Sequence, residues 1–156
     1  MSDDTALKVS DYLREPLILL NTSFNNTDEL FTGVNEIAFE KGFVTDQFLP
    51  KIKARESTFP TGLQLEDRGV AIPHTDADTI KKEFVAIVVN QQPISFKRMD
   101  DPESTTPVKV AFVLGLNQPH AQLEMLQSLM GIIQDKAVLD KLETASNKQE
   151  VQQILN

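Results

Sequence analysis

The chain has 156 residues, of which 40% are apolar and 24% charged, enough for one domain with a sizeable core and too few for several. Fifteen basic against 23 acidic residues leave a net charge of -8, which repels a polyanion and excludes nucleic acid as an expected partner. There is no cysteine, hence no disulfide, thiolate nucleophile or cysteine zinc site, and no apolar run approaches the roughly 20 residues of a membrane span.

Residues 1–15 carry Asp3, Asp4, Asp11 and Glu15 and lack the basic start and apolar stretch of a secretory signal, so a loosely held arm and a cytoplasmic protein are expected, with the domain itself over 16–156. Pro16 precedes Leu17, Ile18, Leu19 and Leu20, a short apolar run that the turn-prone 21–26 closes, which predicts a buried strand. A helix follows. Thr27 or Asn26 can cap it, Asp28 and Glu29 suit its positive end, and Leu30, Val34, Ile37 and Ala38 trace a stripe that stops before Gly42. Thr45 and Asp46 offer another N-cap for a segment reaching about Arg55, in which Phe48, Ile52 and Arg55 share a face and Pro50 demands a late start or a kink.

Phe59-Pro60-Thr61-Gly62 reads as a turn. Gly69-Val70-Ala71-Ile72-Pro73-His74 reads as a short strand that Pro73 ends by withdrawing a ladder donor, which leaves His74 at the strand exit. Residues 84–89 and 108–114, dense in Val, Ile, Phe and Ala, predict central strands covered on both faces, with an edge strand added over 94–97. From Pro119, well suited to the first helical position, Leu123, Leu126, Met130 and Ile133 recur at three-to-four spacing with Leu129 beside them and predict a strong helix. Val138, Leu139 and Leu142, then Val151, Ile154 and Leu155, predict two shorter ones. Strands interspersed with helices give a single-domain α/β fold, a mixed β-sheet between helical layers.

Chemistry that needs imidazole has two places to happen, His74 and His120. With an unperturbed pKa of about 6.5, a histidine at a strand exit is mostly neutral near pH 7 and can take up a phosphoryl group. That requires one ring nitrogen free to attack, the other held by an acceptor, and nearby donors to balance the incoming charge. Arg55 and Thr61, in the segment leading to this strand, are candidate donors. The local pattern accommodates equally well a half-buried His74 bonded to a backbone carbonyl.

Arg55-Glu56-Ser57-Thr58-Phe59-Pro60-Thr61-Gly62-Leu63, followed by Gly69-Val70-Ala71-Ile72-Pro73-His74, resembles the active-site stretch of enzyme IIA of the phosphoenolpyruvate-dependent sugar phosphotransferase system, fructose/mannitol class. The Phe-Pro-Thr-Gly form and the Ala-Ile-Pro-His ending are most similar to the galactitol-type branch. The resemblance implies a cytoplasmic phosphoryl relay that accepts phosphate from HPr on a histidine and passes it to enzyme IIB, serving the membrane enzyme IIC indirectly. It also implies a mixed sheet flanked by helices and requires neither metal nor cofactor. His74 falls on the phosphorylated histidine, attacking through Nε2. Arg55 falls on the family arginine that balances phosphoryl charge, and Glu56 and Thr61 on its neighbours in the motif.

Two positions depart from the family pattern. Thr75 stands after the active histidine where a small residue is frequent. The second family histidine corresponds to Gln122, before Leu123, and His120 lies two residues too early. The start of this helix still offers unpaired N–H groups and a positive dipole end to an anion, so Gln122 is a candidate donor there, and His120 is kept as a further candidate.

Two rival readings stand beside the relay. His74, Asp76 and Asp78 form a string that could ligate a hard metal ion in a hydrolase, although Asp76 and Asp78 suit the start of a helix around 79–82 better. A regulatory module phosphorylated on His74 and lacking a transport role is the other. Phe59 and Leu63 are candidates for a docking surface, and Asp100, Asp101 and Glu103 form an acidic loop that reads as solvated.

Overall fold

The computed structural model describes residues 8–156. A 3-10 turn over Val9–Tyr12 leads into β1 (Leu13–Thr22), followed by α1 (Thr27–Glu40), α2 (Phe48–Thr58), β2 (Gly62–Gln64), β3 (Gly69–Ala71), β4 (Phe84–Lys97), β5 (Thr105–Gly115), α3 (Pro119–Ile133), α4 (Lys136–Thr144) and α5 (Lys148–Leu155). Of the arm expected over 1–15, residues 1–7 lie outside the described residues, and Val9 and Leu13 are already buried. The helix starts follow from local chemistry. Asn26 accepts the Glu29 N–H at 2.8 Å, Asp135 and Asn147 cap α4 and α5 likewise, and Pro50 sits in the first turn of α2, where no intrahelical N–H bond is lost.

The five strands form one mixed sheet in the order β1-β4-β5-β3-β2. β1 runs parallel to β4, β4 antiparallel to β5, β5 parallel to β3, and β3 antiparallel to β2. Alternation along the central strands divides the core in two. Val85, Ile87, Val110, Phe112 and Leu114 face α3, α4 and α5, whereas Phe84, Ala86, Val88, Ala111 and Val113 face α1 and α2, as the two-residue period of a strand dictates. No helix among the described residues is long and apolar enough to cross a membrane.

Three details differ from the expectations. Residues 94–97 are not an edge strand but the far end of β4, which resumes pairing with β5 after an irregularity between Val89 and Ile94; Ile94 and Phe96 are wholly buried. The α3 stripe is turned: Ala121, Met125, Leu129 and Ile133 are buried, while Leu123 is 60% and Met130 38% exposed. Pro16 lies inside β1, which an edge strand tolerates because its outer N–H groups have no ladder partner.

The turn between β2 and β3 is clasped to α4 by Arg68, whose guanidinium meets Asp67 at 2.9 Å, Asp140 at 2.5 Å and Glu143 at 2.9 Å. β3 is only three residues long, so this anchor and its pairing with β5 set where its exit points.

Candidate active site

β3 and β5 run side by side and end together: the Leu114 N–H donates to the Pro73 carbonyl at 2.9 Å. His74 therefore emerges at the carboxyl end of a parallel strand pair, the edge at which α/β sheets commonly bind ligands. Its Nδ1 lies 3.1 Å from the Ile72 carbonyl oxygen. A carbonyl only accepts, so Nδ1 carries the proton and the lone pair is on Nε2. The two readings left open by the sequence thus coincide, since the backbone bond is the acceptor that a nucleophilic imidazole needs. Burial lowers the His74 pKa below its ordinary value and the nearby Arg55 charge lowers it further, against the opposing effect of the Ile72 bond. The ring is neutral at pH 7.

Arg55 stands in the last turn of α2, close enough for its charge to be felt by His74. Its guanidinium carbon lies 5.1 Å from the centre of the Phe59 ring, a cation–π contact. Its Nε is buried without a hydrogen-bond partner among the described residues. No carboxylate pairs with it there; Asp67 is engaged by Arg68 and Lys136. Arg55, Phe59, Thr58, Ala54 and Lys51 line an open cleft of about 260 Å³ with Thr75 and Asp76. Thr75 is buried, so the residue after His74 forms part of this wall.

Asp76 and Asp78 do not join His74 around a metal position. Both turn to the Lys51 ammonium, at 3.4 and 3.5 Å, and no metal-capable group of three or more His, Cys, Asp or Glu is found among the described residues. The helix expected around 79–82 is a 3-10 turn over Ala77–Thr79, and Asp76 precedes it without a side-chain cap.

Glu56 faces away from Arg55. Its carboxylate accepts the Thr61 N–H at 2.9 Å and the Thr61 hydroxyl at 2.8 Å, and both residues are buried. The Thr61 hydroxyl, expected to reach a phosphoryl group, is given to Glu56 instead. The Thr61 carbonyl in turn accepts the Ile72 N–H at 3.3 Å. Gly62 is required beside it, because a Cβ there would approach the Lys97 carbonyl oxygen to 2.6 Å.

The first turn of α3 begins four residues beyond β5 and so lies at the end of the sheet where His74 leaves β3. Gln122 is half-buried and its Nε2 is buried with no partner among the described residues. His120 is exposed on the same turn, as is Leu123. Phe59, 61% exposed, is likewise apolar surface at the site, whereas Leu63 is packed against the core.

The sequence over residues 11–156 matches the family described as the phosphoenolpyruvate-dependent sugar phosphotransferase system, EIIA 2. A galactitol-specific EIIA component from Escherichia coli strain K12 is 30% identical over 127 residues, covering 81% of this chain and 84% of the relative. The crystal structure of nitrogen regulatory protein IIA-Ntr from Neisseria meningitidis is similar at 26% identity with a TM-score of 0.78, over 95% of this chain and 99% of that one. The mannitol IIA in its complex with phosphorylated IIB from Escherichia coli shares the fold, with 20% identity and a TM-score of 0.72 over 92% of this chain and 96% of that one. The chain belongs to the EIIA family of the sugar phosphotransferase system.

Proposed function

We propose that this protein is a cytoplasmic phosphoryl relay in which Nε2 of His74 accepts a phosphoryl group from HPr and surrenders it to an enzyme IIB during sugar or polyol uptake through an enzyme IIC, with a galactitol-type cargo. One observation carries this reading: a neutral imidazole, protonated on Nδ1 by its bond to the Ile72 carbonyl, stands beside an arginine with no carboxylate partner among the described residues. The galactitol-specific relative supports the cargo.

The Nε2 lone pair attacks phosphorus in line as the donor's N–P bond breaks, and the bonding electrons stay on the donor nitrogen. The His74 ring becomes an imidazolium bearing PO3, and the Ile72 carbonyl takes up the positive charge that develops at Nδ1–H. Positioning and charge balance account for such a transfer. Arg55 supplies the balancing charge to the phosphoryl oxygens through its planar N–H groups. Gln122, on the first turn of α3, offers a neutral donor, and the chemistry routes through no metal.

Incubation with labelled phosphoenolpyruvate, enzyme I and HPr is expected to place an acid-labile, alkali-stable label on the wild type and none on His74→Ala. Label retained by His74→Ala would overturn the assignment. The similarity to a nitrogen regulatory IIA favours a second reading, regulation by the phosphorylated form, and label that stays on the protein in the presence of every cognate IIB would select it.

A further inference from the structure

Glu56 is a buried carboxylate whose two hydrogen bonds among the described residues both come from Thr61. Burying an ionisable group without a counter-charge is unfavourable, and no charged neighbour among the described residues forms an ion pair with Glu56. The cavity of about 370 Å³ that Glu56 helps line also holds Asp28 from α1, Lys53 from α2 and Lys97 from β4, and Lys53 is paired with Asp28 at 2.8 Å. On the opposite side Thr61 brings only an N–H and a hydroxyl. A carboxylate is the side chain that accepts both at once, whereas a glutamine offers one acceptor and one donor.

Three hydrogen bonds then run in series to the imidazole: Glu56 holds Thr61, the Thr61 carbonyl holds the Ile72 N–H, and the Ile72 carbonyl meets Nδ1 of His74. Arg55 and Glu56, adjacent on α2 and about 100° apart around its axis, thus serve one site from two directions. We propose that Glu56 is a positioning residue for His74, acting through Thr61 and Ile72 to fix the proton on Nδ1 and leave Nε2 free to react. This rests on His74 being the phosphoryl acceptor.

Burial pushes the Glu56 carboxyl up to about 7 against the two Thr61 bonds, so the clamp loses one of its acceptors as pH falls through neutrality. The rate of His74 labelling from phosphorylated HPr is therefore expected to rise with pH in two steps, one near 7 from Glu56 and one from His74 itself, whose pKa is lowered from its ordinary value.

The test compares wild type, Glu56→Gln, Thr61→Val and Thr61→Ser by labelling rate across pH and by nitrogen-15 NMR of the His74 ring, with His120→Ala used to assign the signals. Glu56→Gln is expected to slow labelling by about tenfold, the equivalent of one hydrogen bond to a charged group, to lose the step near pH 7 while keeping the lower one, and to mix the two neutral tautomers. Thr61→Val is expected to fall between it and the wild type, and Thr61→Ser to retain wild-type behaviour. A Glu56→Gln ring that keeps the Nδ1–H tautomer, or an unchanged pH profile, overturns the proposal. Should Glu56→Gln not fold, Thr61→Val decides, and wild-type rate and tautomer there overturn the proposal equally. The tautomer measurement needs no phosphoryl transfer, so it settles the role of Glu56 even if His74 is never labelled, a result that would sink the relay alone.

Discussion

The exit of β3 and the first turn of α3, at the same end of the sheet, are built differently. On the β3 side the polar groups leading to His74 are joined in series: Nδ1 to Ile72, the Ile72 N–H to Thr61, and both Thr61 donors to Glu56. On the α3 side the first turn has no side-chain cap, Gln122 keeps a buried amide nitrogen unbonded among the described residues, and His120 and Leu123 face solvent. One side is hydrogen-bonded before any ligand arrives. The other offers a donor whose hydrogen bond is still to be made. In the proposed relay this arrangement places the nucleophile by prior bonds and leaves the charge-balancing donors open for the incoming group.

Replacing the arginine, whose Nε has no hydrogen-bond partner among the described residues, tests the comparison hardest. Arg55→Ala is expected to slow phosphoryl uptake by about 10²- to 10³-fold, the scale seen on removing one preorganised donor, and Arg55→Lys to recover only part of it because a point charge cannot present a planar fork. Single-turnover labelling from phosphorylated HPr measures both, and full recovery by lysine would show that charge alone is needed.

The two faces of α3 separate in stability. Leu129→Ala is expected to cost about 3 kcal/mol as a core truncation and Leu123→Ala close to nothing, which urea unfolding would show; comparable losses would mean that the exposed face is packed after all.

The clamp also has a thermodynamic signature. The folded-state pKa of Glu56 is raised to about 7 from an ordinary 4.5. The folded protein therefore holds that proton when the unfolded chain has released it, and the contribution present below pH 4.5 is lost as pH rises through 7. Relative to Glu56→Gln, the wild type is expected to lose about 3 kcal/mol over that interval. A constant stability difference between the two from pH 4 to 8 would contradict this.

The smallest effect belongs to the open side. Gln122→Ala is expected to reduce labelling about tenfold, the weight of one hydrogen bond to an anion, while His120→Ala stays within about twofold. The reverse order would make His120 the second imidazole of the site.

The sequence made His74 visible because Pro73 ends its strand, and α1 visible because Asn26 and Gly42 bracket it; Gly42 adopts φ +80°. It did not reveal the partner of Glu56, since the Thr61 N–H comes within reach only after the chain has left α2 and turned. The rotation of α3 was hidden for another reason. Leucines occupy both faces of that helix, and only the sheet beneath it decides that Met125 and Leu129 face inward while Leu123 does not. Likewise β4 reads as two pieces because its pairing is irregular between Val89 and Ile94, and only β5 shows them to be one strand.

Phe59 gives Arg55 a resting place of an unusual kind. A carboxylate at that position would occupy the same in-plane N–H groups that the PO3 unit of the proposed relay requires, and would have to be displaced at every turnover. A ring face attracts the cation through its quadrupole and accepts none of those in-plane bonds. The guanidinium is thereby steadied and still unspent, so in the proposed relay loading and unloading of the tenant need not break an ion pair each time.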